Sequence, residues 1–235
     1  MLGLDQSDLT LRIGTIAAIS IYSAVGLLLL GILLLRYIRN HKDRRRRAVT
    51  EIWRPLLAEC VVEVPETLPP LTTRDHLVLL YLWNHCYESI RGDARENLKE
   101  LARRTGSDQF AKQLLHTRLL RRRLLAIVTL GHLQERSIWN ELAAMLRADN
   151  AFVSLVAAKA LLHIDAQAAV PLIIPVISTR KDWSPLKVVA IFEPAGADIA
   201  AQAIAEAACL ASPEIGSRLI RQLAATQSQH ALPPL

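Results

Sequence analysis

The chain contains no glycine-rich phosphate loop, no G-x-S-x-G, no H-E-x-x-H and no CxxC. These gaps leave no motif for phosphate cradling, an α/β-hydrolase nucleophile, a zinc protease or a thioredoxin-like redox pair. Its three cysteines, Cys60, Cys86 and Cys209, lie far apart, fit no metal spacing and read as small apolar fillers kept reduced in a cytoplasm. Acidic residues are scattered, with no acid/base pair in a pocket-like pattern. Aromatics make up only 5% of the chain, glycine is sparse, and no stretch alternates as a half-buried strand would. Alanine, leucine and arginine abound, and all three favour helix. The expected class is all-α, with no catalytic residue, no cofactor and no metal.

One long apolar run is present. Ile13 to Leu35 holds no charge and no proline, and as a helix it would reach roughly 34 Å, against about 30 Å for a hydrocarbon core. The run is too long for a signal-peptide core, and its basic cluster follows it instead of preceding it. The expectation is therefore one uncleaved transmembrane helix. Asp5, Asp8 and Arg12 sum to −1 before it, whereas Arg36, Arg39, Lys42, Asp43, Arg44, Arg45, Arg46 and Arg47 sum to +6 after it. Cations stay on the cytoplasmic side. This predicts an inner-membrane protein of bacterial type with its N-terminus outside, its body in the cytoplasm, and seven membrane-facing cations against anionic lipid headgroups. Gly14 with Ala18, and Ser20 with Ala24, show the small-xxx-small spacing that also occurs in ordinary spans. Because that stretch carries nearly all of the net +6, residues 48–235 hold only +1, which disfavours a nucleic-acid partner.

The expected organisation is an external arm over 1–12, the span over 13–35 and a basic juxtamembrane helix over 36–60. Pro55 is expected to kink or break that helix near Arg54. Pro65, Pro69 and Pro70 mark 61–72 as a linker. Leading helices follow over 73–121: one from Thr72 or Thr73 to Gly92, one over Ala94 to Arg104, and one opened by Ser107.

From Arg122 the chain repeats with a period of 31 residues. Leu124, Leu155 and Leu186 keep the spacing, as do Ala126, Ala157 and Val188, then Ile127, Ala158 and Val189, then Leu130, Leu161 and Phe192, then Leu133, Ile164 and Ala195. The second half follows with Ile138, Ala169 and Ala200, Trp139, Val170 and Ala201, and Leu142, Ile173 and Ile204. Asp149 and the Ser184-Pro185 pair are helix-start signals. Each unit reads as two short helices whose apolar faces need a stacked neighbour. Ile220 and Leu223 continue the register, so further repeats or a capping partner are expected beyond residue 235.

Asn150 to Ile164, NAFVSLVAAKALLHI, resembles the short HEAT-like repeat of the lyase type through Val153, Ala157, Ala158, Ala160, Leu161 and Ile164. The arginine of that pattern is replaced by Ser154, while Arg123 holds the equivalent place one unit earlier. Ala169-Val170-Pro171-Leu172 is similar to the start of the family's second helix. The resemblance covers 122–235 and implies an α-solenoid of helical hairpins that serves mostly as a binding scaffold.

Arg118, Arg121, Arg122 and Arg123 form the densest charge cluster of the soluble part and are the candidate partner-binding residues. His132 and His163 sit one period apart; with Pro at 194 no third ligand keeps the spacing, and structural placement is favoured over metal. His85 and Cys86 beside Trp83 and Tyr87 read as packing. The sequence therefore predicts a membrane-anchored cytoplasmic scaffold with a protein partner at the membrane and no small-molecule substrate, a polysaccharide synthase or glycosyltransferase assembly being one guess at that partner. The alternatives are a lyase-type enzyme acting on bilins and a nucleic-acid-binding solenoid.

Overall fold

The computed structural model describes residues 4–210, 212–214, 216, 217 and 220, with side chains described from Val25 onward except at scattered positions. Among the described residues every regular element is helical. The chain divides into two compact units, Met1–Ile52 and Trp53–Leu235.

The first unit is carried by α1, Leu4–Glu59, a helix of 56 residues that runs on into the second unit. The transmembrane expectation is corrected here. Among the described residues no helix is long and apolar enough to cross a membrane. α1 runs without a break from the apolar stretch into the cations Arg36, Arg44, Arg46 and Arg47, so the helix as a whole is not apolar. Within the expected span, residues 13–24 have their side chains outside the described residues. The single-pass topology, the outside N-terminus and the inner-membrane location all rested on that span and fall with it. The helix also passes through Pro55 without ending there. Pro55 and Glu51, whose carbonyl loses its amide partner, are both exposed, so water can take the missing bond.

In the second unit, Cys60 to Thr72 is irregular chain. It is held to the body where Asn97 Nδ2 donates to the Val62 carbonyl at 3.1 Å and Arg104 Nη2 to that of Glu66 at 2.7 Å. Then come α2 (Thr73–Ser89), α3 (Ala94–Arg104) and α4 (Ser107–Leu115). Gly92 and Gly106 turn the chain between them at φ of 75° and 69°, a region glycine enters without steric cost. The Trp83 indole donates to the Leu98 carbonyl at 2.8 Å and ties α2 to α3.

The repeats supply α5 (Leu120–His132), α6 (Trp139–Met145), α7 (Ala151–Ile164), α8 (Ala166–Thr179), α9 (Pro185–Ile191) and α10 (Ala197–Leu210). First helices pack on first helices, α5 on α7 and α7 on α9, while α7 also packs on α6 and α8, and α8 on α10. The periodic columns form the core. Ala126, Ala157 and Val188 are buried, as are Leu130, Leu161 and Phe192, and Leu142, Ile173 and Ile204. Each Leu, Ile or Phe in these columns contributes about 1.5–3 kcal/mol by leaving water. The column of Leu124, Leu155 and Leu186 does not stay inside, and Leu186 is 67% exposed. Asn150, not Asp149, caps α7 by accepting from the amides of Phe152 and Val153. Asp165 closes α7 and opens α8, accepting from the Ala168 amide at 3.1 Å. Ser154, standing where the repeat pattern has arginine, is fully buried and donates to the Leu146 carbonyl, which pins α7 to the end of α6.

The approach of α5 to α7 depends on Gly131. A Cβ built there would lie 2.8 Å from both Cα and Cβ of Ala160. This close contact brings the last turns of the two first helices together, and with them His132 and His163.

Candidate functional site

A cleft of about 460 Å³ opens where α2, α3, α5, α7 and the 3-10 turn Glu193–Ala195 meet. Its floor is built from histidine and aromatic rings. His132 stacks on Tyr87 with centroids 4.6 Å apart, and His163 meets His132 edge-on at 4.9 Å and 86°.

The state of His132 follows from its neighbours. Asn84 Nδ2 donates to the Leu80 carbonyl at 2.8 Å and to Thr129 Oγ1 at 2.7 Å, and Thr129 Oγ1 in turn donates to the Leu125 carbonyl at 2.8 Å. Carbonyls only accept, so the chain of bonds fixes the amide orientation and leaves Asn84 Oδ1 facing His132 Nδ1 at 2.9 Å. That oxygen can only accept, so Nδ1 carries the proton and Nε2 keeps its lone pair. Burial pushes His132 down to about 3, with His163, Lys159 and Arg95 adding repulsion. Burial likewise lowers His163 to about 4, helped by Lys159, Arg95 and Lys99 and opposed by Glu193. Both rings are neutral at pH 7. His163 Nε2 is buried without a hydrogen-bond partner.

The rim is charged. Arg95 Nε donates to the Ile90 carbonyl at 2.7 Å, and its guanidinium carbon sits 4.9 Å from the Tyr87 ring centroid. Two contacts thus position this half-buried arginine beside the cleft. Lys159 faces Glu193 at 3.6 Å, and Arg91 and Glu88 complete the charged lining. Behind the rim, buried Lys99 donates to Glu96 at 2.8 Å and to Gln134 Oε1 at 2.8 Å, while Gln134 Nε2 donates to the His163 carbonyl at 3.0 Å. Gln134 makes these bonds from a left-handed backbone, φ 54°, which is uncommon outside glycine.

Two further surfaces stand out. A groove of about 720 Å³ runs between α6 and α8, with Ala143, Ala144, Pro171, Leu172, Pro175 and Val176 along it and Arg147 and Arg180 at its edge. Arg180 is fixed by the Ala148 and Asp149 carbonyls at 2.7 and 3.2 Å and by both oxygens of Asp182. The second surface is the turn into α5. There Arg118, Arg121 and Arg122 are exposed beside Leu119 and Leu120, themselves 54% and 40% exposed. Arg123 does not join them: it is half-buried and its Nε is enclosed without a partner.

Of the basic residues after the apolar run, Arg36, Arg44, Arg46 and Arg47 are exposed and Arg45 is half-buried, while the side chains of Arg39 and Lys42 lie outside the described residues. Among the described residues no three His, Cys, Asp or Glu side chains converge as metal ligands. His85 is exposed, whereas Trp83 and Tyr87 are buried and stacked 5.1 Å apart. Sequence reasoning singled out His132 and His163 but missed Arg95, Lys159 and Glu193; only Lys159 carried a signal, as the one lysine on the otherwise apolar α7, while Arg95 is one charge among many on α3 and Glu193 sits in a 3-10 turn.

No protein family, no curated protein and no solved structure matches this chain.

Proposed function

We propose that the second unit is a HEAT-like α-solenoid that works as a scaffold, binding a protein partner along the groove between the second helices α6 and α8. The reading is of a binding protein and not of an enzyme. One observation carries it: the groove pairs exposed apolar side chains with backbone acceptors. Pro171 and Pro175 sit one turn apart on the exposed side of α8 and have no amide hydrogen, so the carbonyls of Gln167 and Pro171 lose their helical donors. Leu172 between them is 41% exposed, and Arg147 and Arg180 flank the strip. A partner segment that carries apolar side chains, amide donors and acidic groups meets all three features.

The Arg118, Arg121 and Arg122 patch offers a second contact surface, because exposed Leu119 and Leu120 among the cations suit an amphipathic acidic helix better than a nucleic-acid backbone. The test is co-purification of the full chain and of Leu172→Asp, with matched melting curves. A partner retained by the wild type and lost by Leu172→Asp supports the groove. Equal retention by both refutes it. A steep salt dependence of DNA binding would favour nucleic acid at the arginine patch.

A further inference from the structure

The histidine-floored cleft is separate from the α6–α8 groove, and its charged rim points to a ligand of its own. Arg95 is held by the Ile90 carbonyl and the Tyr87 ring, so two contacts fix its orientation while, among the described residues, no bond occupies its terminal nitrogens. A guanidinium held in this way loses little freedom when it binds a carboxylate. Across the cleft Lys159 is met by Glu193 at 3.6 Å, a long pair whose carboxylate is 74% exposed. An exposed pair of this kind contributes little to stability. It shows, however, that a carboxylate fits against Lys159.

The sign of the field decides between ligand classes. Lys159, Arg95 and Lys99 all act on His163 as cations, and only Glu193 opposes them. A metal ion at the two imidazoles would enter against that field. Counting only the charged lining, Arg91, Arg95 and Lys159 exceed Glu88 and Glu193 by one positive charge. One carboxylate balances this excess; a phosphate dianion overshoots it. The neutral rings of the floor add no charge and keep the local dielectric low, which strengthens an ion pair made above them.

We propose that this cleft receives an acidic side chain of a protein partner, its carboxylate lying between Arg95 and Lys159 beside Glu193. The inference rests on the reading of the chain as a protein-binding scaffold and adds the chemistry of one contact.

The experiment uses the full chain and follows the imidazole carbon-bound proton signals by NMR during titration with end-blocked tetraglutamate, tetraglutamine and inorganic phosphate. The signals of His132 and His163 are expected to move saturably with tetraglutamate only, while exposed His85 and His116 stay still. Arg95→Ala and Lys159→Met should weaken the response about tenfold, as loss of one partner of a charge pair does, and Glu193→Gln should tighten it. Melting curves verify that each variant is folded, and Arg95→Lys keeps the charge without the fork. A response to tetraglutamine, a stronger response to phosphate, or an affinity unchanged in both Arg95→Ala and Glu193→Gln overturns the proposal. Silence of both histidines at mM tetraglutamate overturns it too. Partner capture through the groove is scored separately with Leu172→Asp. A failed titration therefore leaves the scaffold reading standing, and a chain that captures no partner leaves the titration to decide the cleft.

Discussion

Gly131→Ala should destabilise the second unit even though alanine is the better helix former. The glycine lies within α5, so the substitution by itself would favour the helix by up to about 1 kcal/mol. Against that, the new methyl would sit 2.8 Å from both Cα and Cβ of Ala160 on α7, where carbon atoms prefer about 3.5–4.0 Å. One of the two atoms it meets is backbone, so no side-chain rotation relieves the clash. The helices must part by about 1 Å, and overpacking of this kind costs about 1–3 kcal/mol. The balance is a loss of up to about 2 kcal/mol. For a unit of this size that is a fall of up to about 8 °C in melting temperature. Urea denaturation followed by far-ultraviolet circular dichroism gives the free energy, and calorimetry the temperature. Ala160→Gly added to Gly131→Ala should recover part of the loss, because it removes one of the two colliding atoms. A Gly131→Ala protein more stable than wild type, as at an uncrowded helical glycine, would refute the close approach.

Acid should weaken the fold through the cleft floor. His132 and His163 have folded values of about 3 and about 4, below an unfolded value near 6.5, so the unfolded chain binds protons that the native state refuses. The stability they contribute is complete above pH 6.5 and is lost as the pH falls toward the folded values, on the order of 2 kcal/mol for each ring between pH 6.5 and 5. Urea midpoints at pH 7 and pH 5 should lie closer together in His132→Gln/His163→Asn than in the wild type; an unchanged gap would refute this. Thiol reactivity should be graded: exposed Cys209 reacts with iodoacetamide in the native protein, whereas Cys60, fully buried and pushed up to about 11 by that burial, reacts only after unfolding. Mass spectrometry of tryptic peptides reads both sites, and rapid labelling of Cys60 at neutral pH would contradict the packing. Arg180→Ala should cost about 1–3 kcal/mol by freeing the Ala148 and Asp149 carbonyls, and a denaturation midpoint equal to wild type would show that water replaces those bonds.

The sequence made the repeat legible because a 31-residue period repeats the same burial requirement at Leu130, Leu161 and Phe192, and apolar identity survives at such places. The turns at Gly92 and Gly106 were legible because their φ values favour glycine. The cleft was not, and the reason is distance along the chain. Asn84 reaches Thr129 and His132 across 45 and 48 residues, and Lys99 reaches Gln134 across 35. No window of local pattern holds both partners of such a bond. Ser154 shows a different limit. The pattern it resembles places arginine there, and that departure gave no hint that its small hydroxyl fits a fully buried place and bonds the end of α6. The apolar run after Arg12 was judged by composition alone, and among the described residues no helix is long and apolar enough to carry the topology placed on it.

Helix α7 touches α5, α6, α8, α9 and the 3-10 turn after α9, whereas no direct packing joins α5 to α9 among the substantial contacts of the unit. Load passing from the leading helices to the last ones therefore runs through these 14 residues. Pulled from its two ends, the unit should yield beside α7 first and come apart as two blocks. Amide exchange should be slowest at Ala157, Ala158 and Leu161. The pair His132–His163 bridges α5 and α7, the most extensively packed junction of the unit, so the cleft floor should hold while α9 parts from α7.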